Sequence, residues 1–319
     1  MRKKHLHFLC DPITKEELTI INPIFDGEEI ISGKLCSPSN SYKIVNGIPR
    51  FVEENNYSNN FGYQWNRWAR IQFEDQNINK PMQGHTTEMF KSITQFTKEK
   101  LKDKWVLDIG CGPGRFSDIS LNMKANVIAL DHSSAIDAAK KNFQKKEADI
   151  LFIQGDAMKL PIKDGSIDYA FTIGVLHHTP SPYKGTKEAF RVIKKGGEFS
   201  LRVYPKKGFY TFPSVRFWRF VFNSLKPIFG YYPPLIYSYF FGSLGYIIGK
   251  IWLPLSYPLR IIFPTVWLKD YKWAILDTFD AIATSYQSGH SPEEINNWLK
   301  QANFSKINNI NGNDFNSVK

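Results

Sequence analysis

The stretch "VLDIGCGPGRFS", Val106 to Ser117, holds the residues best suited to chemistry. A short apolar run ends on Asp108, and Gly110, Gly112 and Gly114 follow before a stretch of helical character. Glycine lets the main chain approach a ligand where a Cβ would collide. In open parallel sheets, ligands sit beyond the carboxyl ends of the strands, where this loop falls. A second acid, Asp131 in "ALDHS", stands at a spacing that suits a carboxylate accepting hydrogen bonds from a ribose diol. A dinucleotide loop reads G-x-G-x-x-G. This one reads D-x-G-x-G-x-G. The leading acid has little use beside a pyrophosphate, which is itself negative, and suits a ligand with a cationic amino group.

S-adenosylmethionine is such a ligand: it carries an ammonium, a ribose and an adenine, and no phosphate. A third acid fits it. "LFIQGDAMKLPIKDGSIDYAF" places Asp156 after a third apolar run, where a carboxylate can accept a proton from an adenine amino group. "FTIGVLHHTP" then follows a fourth run, and Lys195-Gly196-Gly197 precedes a fifth. This ordered set resembles the class I S-adenosylmethionine-dependent methyltransferases, in particular the type 11, ubiquinone/menaquinone-methyltransferase-like group. The resemblance covers residues 104–204 and reaches the C-terminal "EEINNWLKQANFSKI". It implies that Asp108 and Gly110 hold the methionine part, with Gly112 and Gly114 shaping the loop. It implies Asp131 at the ribose, Asp156 and Ala157 at the adenine, and Ile173 and Gly174 beside the donor methyl, with Cys111 and His132 also among the cofactor-binding residues. The product would be S-adenosylhomocysteine. A sulfonium is already an activated electrophile, so alignment is the main task. A hydroxyl acceptor also needs a base within hydrogen-bond reach. His177, His178, Tyr204 and His290 are the candidates, beside the reading in which Leu-His-His only lines the pocket.

The elements that position these residues alternate between strand and helix. "WVLDIG", "NVIALD", "ILFIQGD", "IDYAFTIGV" and "GEFSLRVYP" are apolar runs. Helical stretches near 115–123, at 133–146 and at 184–195 separate them. Such alternation predicts parallel strands joined by crossover helices. Ser291, Pro292 and Glu294 form a capping-box signature for a last helix, and "FSKINNI" with the tail offers final strands. The expected fold is α/β: a Rossmann-like, seven-stranded, mostly parallel sheet with helices on both faces, a small N-terminal β module and a helical aromatic insertion. The expected divisions are 1–52 for the module and 53–103 for a helical linker that covers the cofactor. Residues 104–205 with 273–319 form the core, and 206–272 the insertion.

"HFLCDPITKEELTI" and "GKLCSPSNSYKIVNGIPRF" predict short strands in the module. They resemble the zinc-ribbon-like unit that precedes some bacterial methyltransferases and the zinc-binding activator of certain tRNA and protein methyltransferases. That unit carries two C-x-x-C pairs, because tetrahedral zinc takes four thiolates. Here Cys10 is followed by Ile13 and Cys36 by Ser39. Each pair lacks its second thiolate, so no metal is expected.

The insertion speaks to the acceptor. The chain carries a formal charge of +11, and nine of its Lys/Arg but one acid, Asp270, lie between Lys206 and Lys272. Such a balance fits nucleic acid, an anionic membrane surface or an acidic substrate. Residues 227–249 hold no charge and are long enough to span a bilayer. Their prolines, glycines and tyrosines favour a lid or an interfacial element instead. The expected reaction is methyl transfer to a small, hydrophobic or lipid-linked biosynthetic acceptor, with peripheral contact to an anionic membrane. The alternative is a tRNA or other nucleic-acid methyltransferase. Base-methylating relatives carry Asn/Asp-Pro-Pro-aromatic after the fourth strand, where this chain reads "IGVLHHTP", and Tyr232-Pro233-Pro234 lies far downstream. A non-catalytic binder is disfavoured by the intact acids. Three cysteines and no N-terminal apolar run of signal length predict a reducing, cytoplasmic setting, including the inner membrane face.

Overall fold

The computed structural model describes residues 1–319 except 54–55, 145–147, 253 and 255, and except the side chains at 256 and 259. Among the described residues, strands β1 (Thr19–Asp26), β2 (Glu29–Cys36), β3 (Ser41–Val45), β4 (Ile48–Arg50), β5 (Trp105–Ile109) and β6 (Asn126–Asp131) come first. Then follow β7 (Ile150–Gln154), β8 (Ile167–Ile173), β9 (Ile193–Arg202), β10 (Ser305–Asn311) and β11 (Asp314–Val318). They form one mixed sheet of order β1-β2-β3-β4-β7-β6-β5-β8-β9-β11-β10. Pairing is parallel from β4 to β9 across this order and antiparallel on either side.

The helices are α1 (Asn59–Arg67), α2 (His85–Thr94), α3 (Lys98–Leu101), α4 (Arg115–Asn122), α5 (Ala135–Phe143) and α6 (Pro182–Val192). After β9 come α7 (Pro213–Phe229), α8 (Tyr232–Ile251), α9 (Ser256–Ile262), α10 (Tyr271–Ala283) and α11 (Pro292–Gln301). Strands buried on both faces read as unbroken apolar runs, and β5 shows why. Val106 faces Phe90, Phe116 and Phe143 from α2, α4 and α5. Leu107 and Ile109 face Val192, Ile295 and Leu299 from α6 and α11. α11 starts as its signature requires: Ser291 Oγ accepts from Glu294 N, and Glu294 Oε2 accepts from Ser291 N at 3.0 Å. The helix expected at 133–146 is α5, and positions 145 and 146 lie outside the described residues.

Two expectations are corrected. The sheet is larger than the seven strands foreseen, because the N-terminal strands join its β7 edge. β4 pairs with β7 at Arg50 and Gln154, and Arg50 donates to both Asp137 oxygens and to Gln154 Oε1. Phe8, Leu9, Ile30, Leu35 and Ile44 share one buried cluster with Leu107 and Leu151. Secondly, the start of "HFLC" is not strand. Lys3–Phe8 form a 3-10 helix, fixed by His5 Nε2 on Asp149 at 2.7 Å and by Phe8 against Trp105. The two loops that carry Cys10 and Cys36 meet on Asp11. Its buried carboxylate accepts from Ser37 Oγ (2.6 Å), Asn40 Nδ2 (2.9 Å), Tyr42 Oη (3.1 Å) and the amides of Ile13 and Thr14.

The insertion folds as a helical layer that continues into α10. α7 and α8 both pack on α10, with Val215, Phe222, Tyr237, Ala281 and Ile282 between them. α8 is turned in an unusual sense. Gly242, Gly245 and Gly249 face Ile275, Thr265 and Trp267. Tyr232, Ile236, Phe240, Ile247 and Ile251 on its other side are 57–77% exposed. Phe217, Phe220 and Ile228 of α7 and Ile261 and Ile262 of α9 are exposed as well. No helix among the described residues is long and apolar enough to cross a membrane.

Candidate active site

The strand–loop–helix unit β5–α4 is held open by backbone geometry that glycine alone adopts cheaply. Gly110 and Gly114 sit at φ +80° and +95°, and a Cβ would drive Gly110 into Val175 and Gly114 into Phe143. The amides of Gly110 and Cys111 both donate to Leu130 O, at 2.7 and 2.9 Å, which ties the loop to the end of β6. Asp131 braces the same loop: its Oδ2 accepts from Gly112 N at 2.9 Å and its Oδ1 from Ser133 N and Oγ.

This loop forms one wall of a cavity of about 300 Å³, at the small end of the range for small-molecule sites. Gly110, Cys111, Gly112, Asp131, His132, Ala157, Ile173 and Gly174 all line it. Asp108, Gly114 and Asp156 stand behind that lining. Asp108 accepts from Ser117 Oγ at 2.7 Å, and burial pushes its carboxyl up to about 7. Asp156 accepts from Met158 N at 2.8 Å and shapes the turn that presents Ala157. Gly174, at φ +77°, has no atom within 4 Å of where a Cβ would stand, so its missing side chain leaves open space. A glycine cradle, a carboxylate at the end of β6 and a clear approach at Gly174 fit a cationic nucleoside sulfonium. When bound, that group supplies an electrophilic methyl.

The histidines separate. His178 lines the cavity. Its Nδ1 donates to Tyr286 O at 2.9 Å, so Nε2 is left as an acceptor. Burial holds its pKa down at about 4, so it is neutral at pH 7. His177 is fully buried, accepts from Tyr204 N at 3.3 Å and stacks on the Tyr204 ring. His290 lies outside the cavity, bonded to Ser288 Oγ at 2.8 Å. Tyr204 and Tyr210 both line the cavity. Their rings stack at 4.3 Å, close to Asp277 and Asp280.

Several lining residues do not stand out one by one in the sequence, although 53–103 is expected to cover the cofactor. Tyr57, Ser58, Phe61, Gln64 and Trp65, in and before α1, cover the loop. Ser58 Oγ bonds His132 Nδ1 at 2.8 Å, and Tyr57 stacks on the same ring. Arg115 sits at the start of α4, and Trp273, Asp277 and Asp280 come from α10. The one available signal was a pair of acids three residues apart in the otherwise apolar "WAILDTFDAIA", since acids seldom enter apolar helix faces without a role. Tyr232, Pro233 and Pro234 form the first turn of α8, with Tyr232 exposed, away from the cavity.

Residues 107–201 match the family model of the methyltransferase domain. Among curated proteins, the chain is 42% identical over 98 residues to a demethylmenaquinone methyltransferase of Lactococcus lactis, covering 29% of this chain and 38% of that protein. It is 35% identical over 103 residues to a sterol 24-C-methyltransferase of Schizosaccharomyces pombe, covering 30% and 26%. It is 31% identical over 182 residues to the chloroplastic 2-methyl-6-phytyl-1,4-hydroquinone methyltransferase of Arabidopsis thaliana, covering 55% and 51%. The chain thus spans between about a quarter and a half of the length of these relatives.

Proposed function

We propose that this protein transfers a methyl group from S-adenosylmethionine to a small, hydrophobic or lipid-linked biosynthetic acceptor. The observation that carries this reading is the single cavity that runs from the glycine loop and Asp131 to the aromatic and carboxylate groups under α10. The methyltransferase-domain match over 107–201 supports the reaction. The acceptors named for the relatives, quinones, a phytyl hydroquinone and sterols, support the hydrophobic class. In this reading Asp108, Gly110 and Cys111 hold the methionine part. Asp131 and His132 hold the ribose, Asp156 and Ala157 the adenine, and Ile173 and Gly174 flank the methyl. Residues 1–52 are read as a degenerate zinc-ribbon-like unit in which Asp11 draws together the two loops.

Titration calorimetry with S-adenosylhomocysteine tests the donor site. Saturable one-to-one binding is expected, and its absence would sink the reading. The outward apolar faces of α7, α8 and α9, framed by Arg216, Lys250 and Lys269, support peripheral contact with an anionic membrane. Co-sedimentation with vesicles of phosphatidylcholine and phosphatidylglycerol, 3:1 by design, is expected to exceed that with phosphatidylcholine alone. It should weaken as salt rises. Equal recovery on both vesicle types at all salt concentrations would remove the electrostatic part of the reading.

A further inference from the structure

The far end of the cavity holds polar groups that a methyl donor does not explain. Asp277 and Asp280 stand three residues apart on α10, so both point the same way, and both line the cavity. Asp280 lies close to Tyr204 and Gln64. Asp277 accepts no hydrogen bond from any described residue. Gln64 is 1% exposed, and its Oε1 has no partner among the described residues. Gln72, 5% exposed and on the same wall, has an equally orphaned Oε1. A buried acceptor left without a donor costs about 1–3 kcal/mol. Four acceptors thus line one cavity, with two guanidinium groups near them: Arg115 faces both carboxylates, and Arg219, itself bonded to Ala281 O and Gln287 Oε1, faces Asp280. Such a surplus calls for a ligand that brings its own donor hydrogens.

We propose that Asp277, steadied by Asp280, is the proton acceptor for a hydroxyl group on the substrate, and that the orphaned Gln64 and Gln72 carbonyls orient that hydroxyl. The site therefore selects an acceptor whose ring or chain carries O–H beside the position to be methylated. This rests on the methyltransferase reading and adds the chemical class of acceptor to it. In the step, the O–H bond breaks and its electron pair stays on the substrate. The proton passes to the Asp277 carboxylate, and the acid formed returns it to solvent. With the donor bound, that pair would form the new bond to the methyl group while the sulfur–methyl bond breaks, its electrons staying on sulfur as S-adenosylhomocysteine leaves. Where the methyl adds to a carbon beside the hydroxyl, that carbon then loses its own proton to solvent and the oxygen is reprotonated. The environment suits this work. Burial, and then the neighbouring Asp280 charge, raise Asp277 to about 7, with Arg115 pulling the other way. A base is most effective when its pKa lies near the working pH. Tyr204, Tyr210 and Trp273 supply flat apolar walls for the remainder of the molecule.

The test uses 1-naphthol and its methyl ether, 1-methoxynaphthalene, as probes that share a ring system, the ether replacing the donor hydrogen by a methyl group. Binding to the full chain is followed by tryptophan fluorescence with and without S-adenosylhomocysteine. The wild-type protein is expected to bind the naphthol at least about tenfold more tightly than the ether, since the ether leaves the acceptors unpaired. Asp277→Asn should reduce that preference to about threefold or less, while affinity for S-adenosylhomocysteine, measured by calorimetry, stays within about a factor of three of wild type. Equal affinity of the wild-type protein for both probes, or no binding of naphthol, overturns the proposal whatever the variant does. A preference that survives in both Asp277→Asn and Asp280→Asn overturns the assignment to these residues. Loss of S-adenosylhomocysteine binding by the wild type, with the naphthol preference intact, instead refutes the methyl-donor reading and leaves the hydroxyl site standing.

Discussion

At the scale of single residues, the site is built from acids kept in unfavourable places. Asp108 is buried beneath the glycine loop with one hydroxyl donor, and its carboxyl stays protonated up to about 7. In the unfolded chain it ionises near 4. Between those values the folded state binds the extra proton, so stability falls as pH rises from about 4 to about 7 and stays reduced above. Asp108→Asn is neutral throughout and can still accept from Ser117. In the absence of ligand it should therefore be more stable than wild type at pH 8, by roughly 1–2 kcal/mol, and little different at pH 4. Its affinity for S-adenosylhomocysteine should fall at the same time. Urea unfolding at the two pH values, with calorimetry at pH 7, checks both halves. A variant that is less stable at pH 8 would contradict the account of Asp108 as a strained carboxyl. The glycine loop was legible because its pattern is local: strand, glycines and helix follow one another within twelve residues. Asp277 and Asp280 were not, because only the docking of α10 on α1 brings two acids of a distant helix into the same cavity as the loop.

At the scale of elements, α8 inverts the usual division of labour. An ordinary surface helix buries its large apolar residues and exposes polar ones. Beyond Leu235 and Tyr237, α8 buries Gly242 against α10 and Gly245 and Gly249 against Thr265 and Trp267, and exposes Ile236, Phe240 and Ile247. Sequence periodicity reports that an apolar stripe exists but not which side the protein covers. The uncharged run thus reads the same for a lid, a buried layer or an interfacial helix. The inversion predicts opposite responses to substitution. Gly245→Val should cost about 1–3 kcal/mol, because its Cβ would stand 2.6 Å from Thr265 Oγ1. Ile236→Ser, at a 66% exposed position, should change stability by no more than about 0.5 kcal/mol, yet reduce vesicle binding. Thermal unfolding of the two variants distinguishes them. Destabilisation by Ile236→Ser as large as that by Gly245→Val would mean that the outward face is covered.

At the scale of the whole molecule, the N-terminal strands and the α/β core are one body. The strands themselves were legible from turn residues and β-branched runs, whereas their attachment was not. It depends on a short parallel pairing at Arg50 and on side chains brought from three regions of the chain. Arg50 is largely buried and bonds Asp137 and Gln154 together. Arg50→Ala leaves Asp137 without its partner and should cost about 1–3 kcal/mol. Since Phe8, Leu35 and Leu107 belong to a shared core, the loss should lower the midpoint of a single unfolding transition rather than split it in two. Denaturant curves followed by far-ultraviolet dichroism and by tryptophan emission should therefore coincide in wild type and variant alike. Asp11 gives this union a further character. Two turns of the N-terminal strands are gathered by one carboxylate with five donors. Burial works against its charge, yet the bonds from Ser37, Ile13, Asn40 and Thr14 hold it ionised down to about 2. A clasp made this way is assembled with the chain itself, and its contribution to stability is lost as pH falls from about 4 towards about 2.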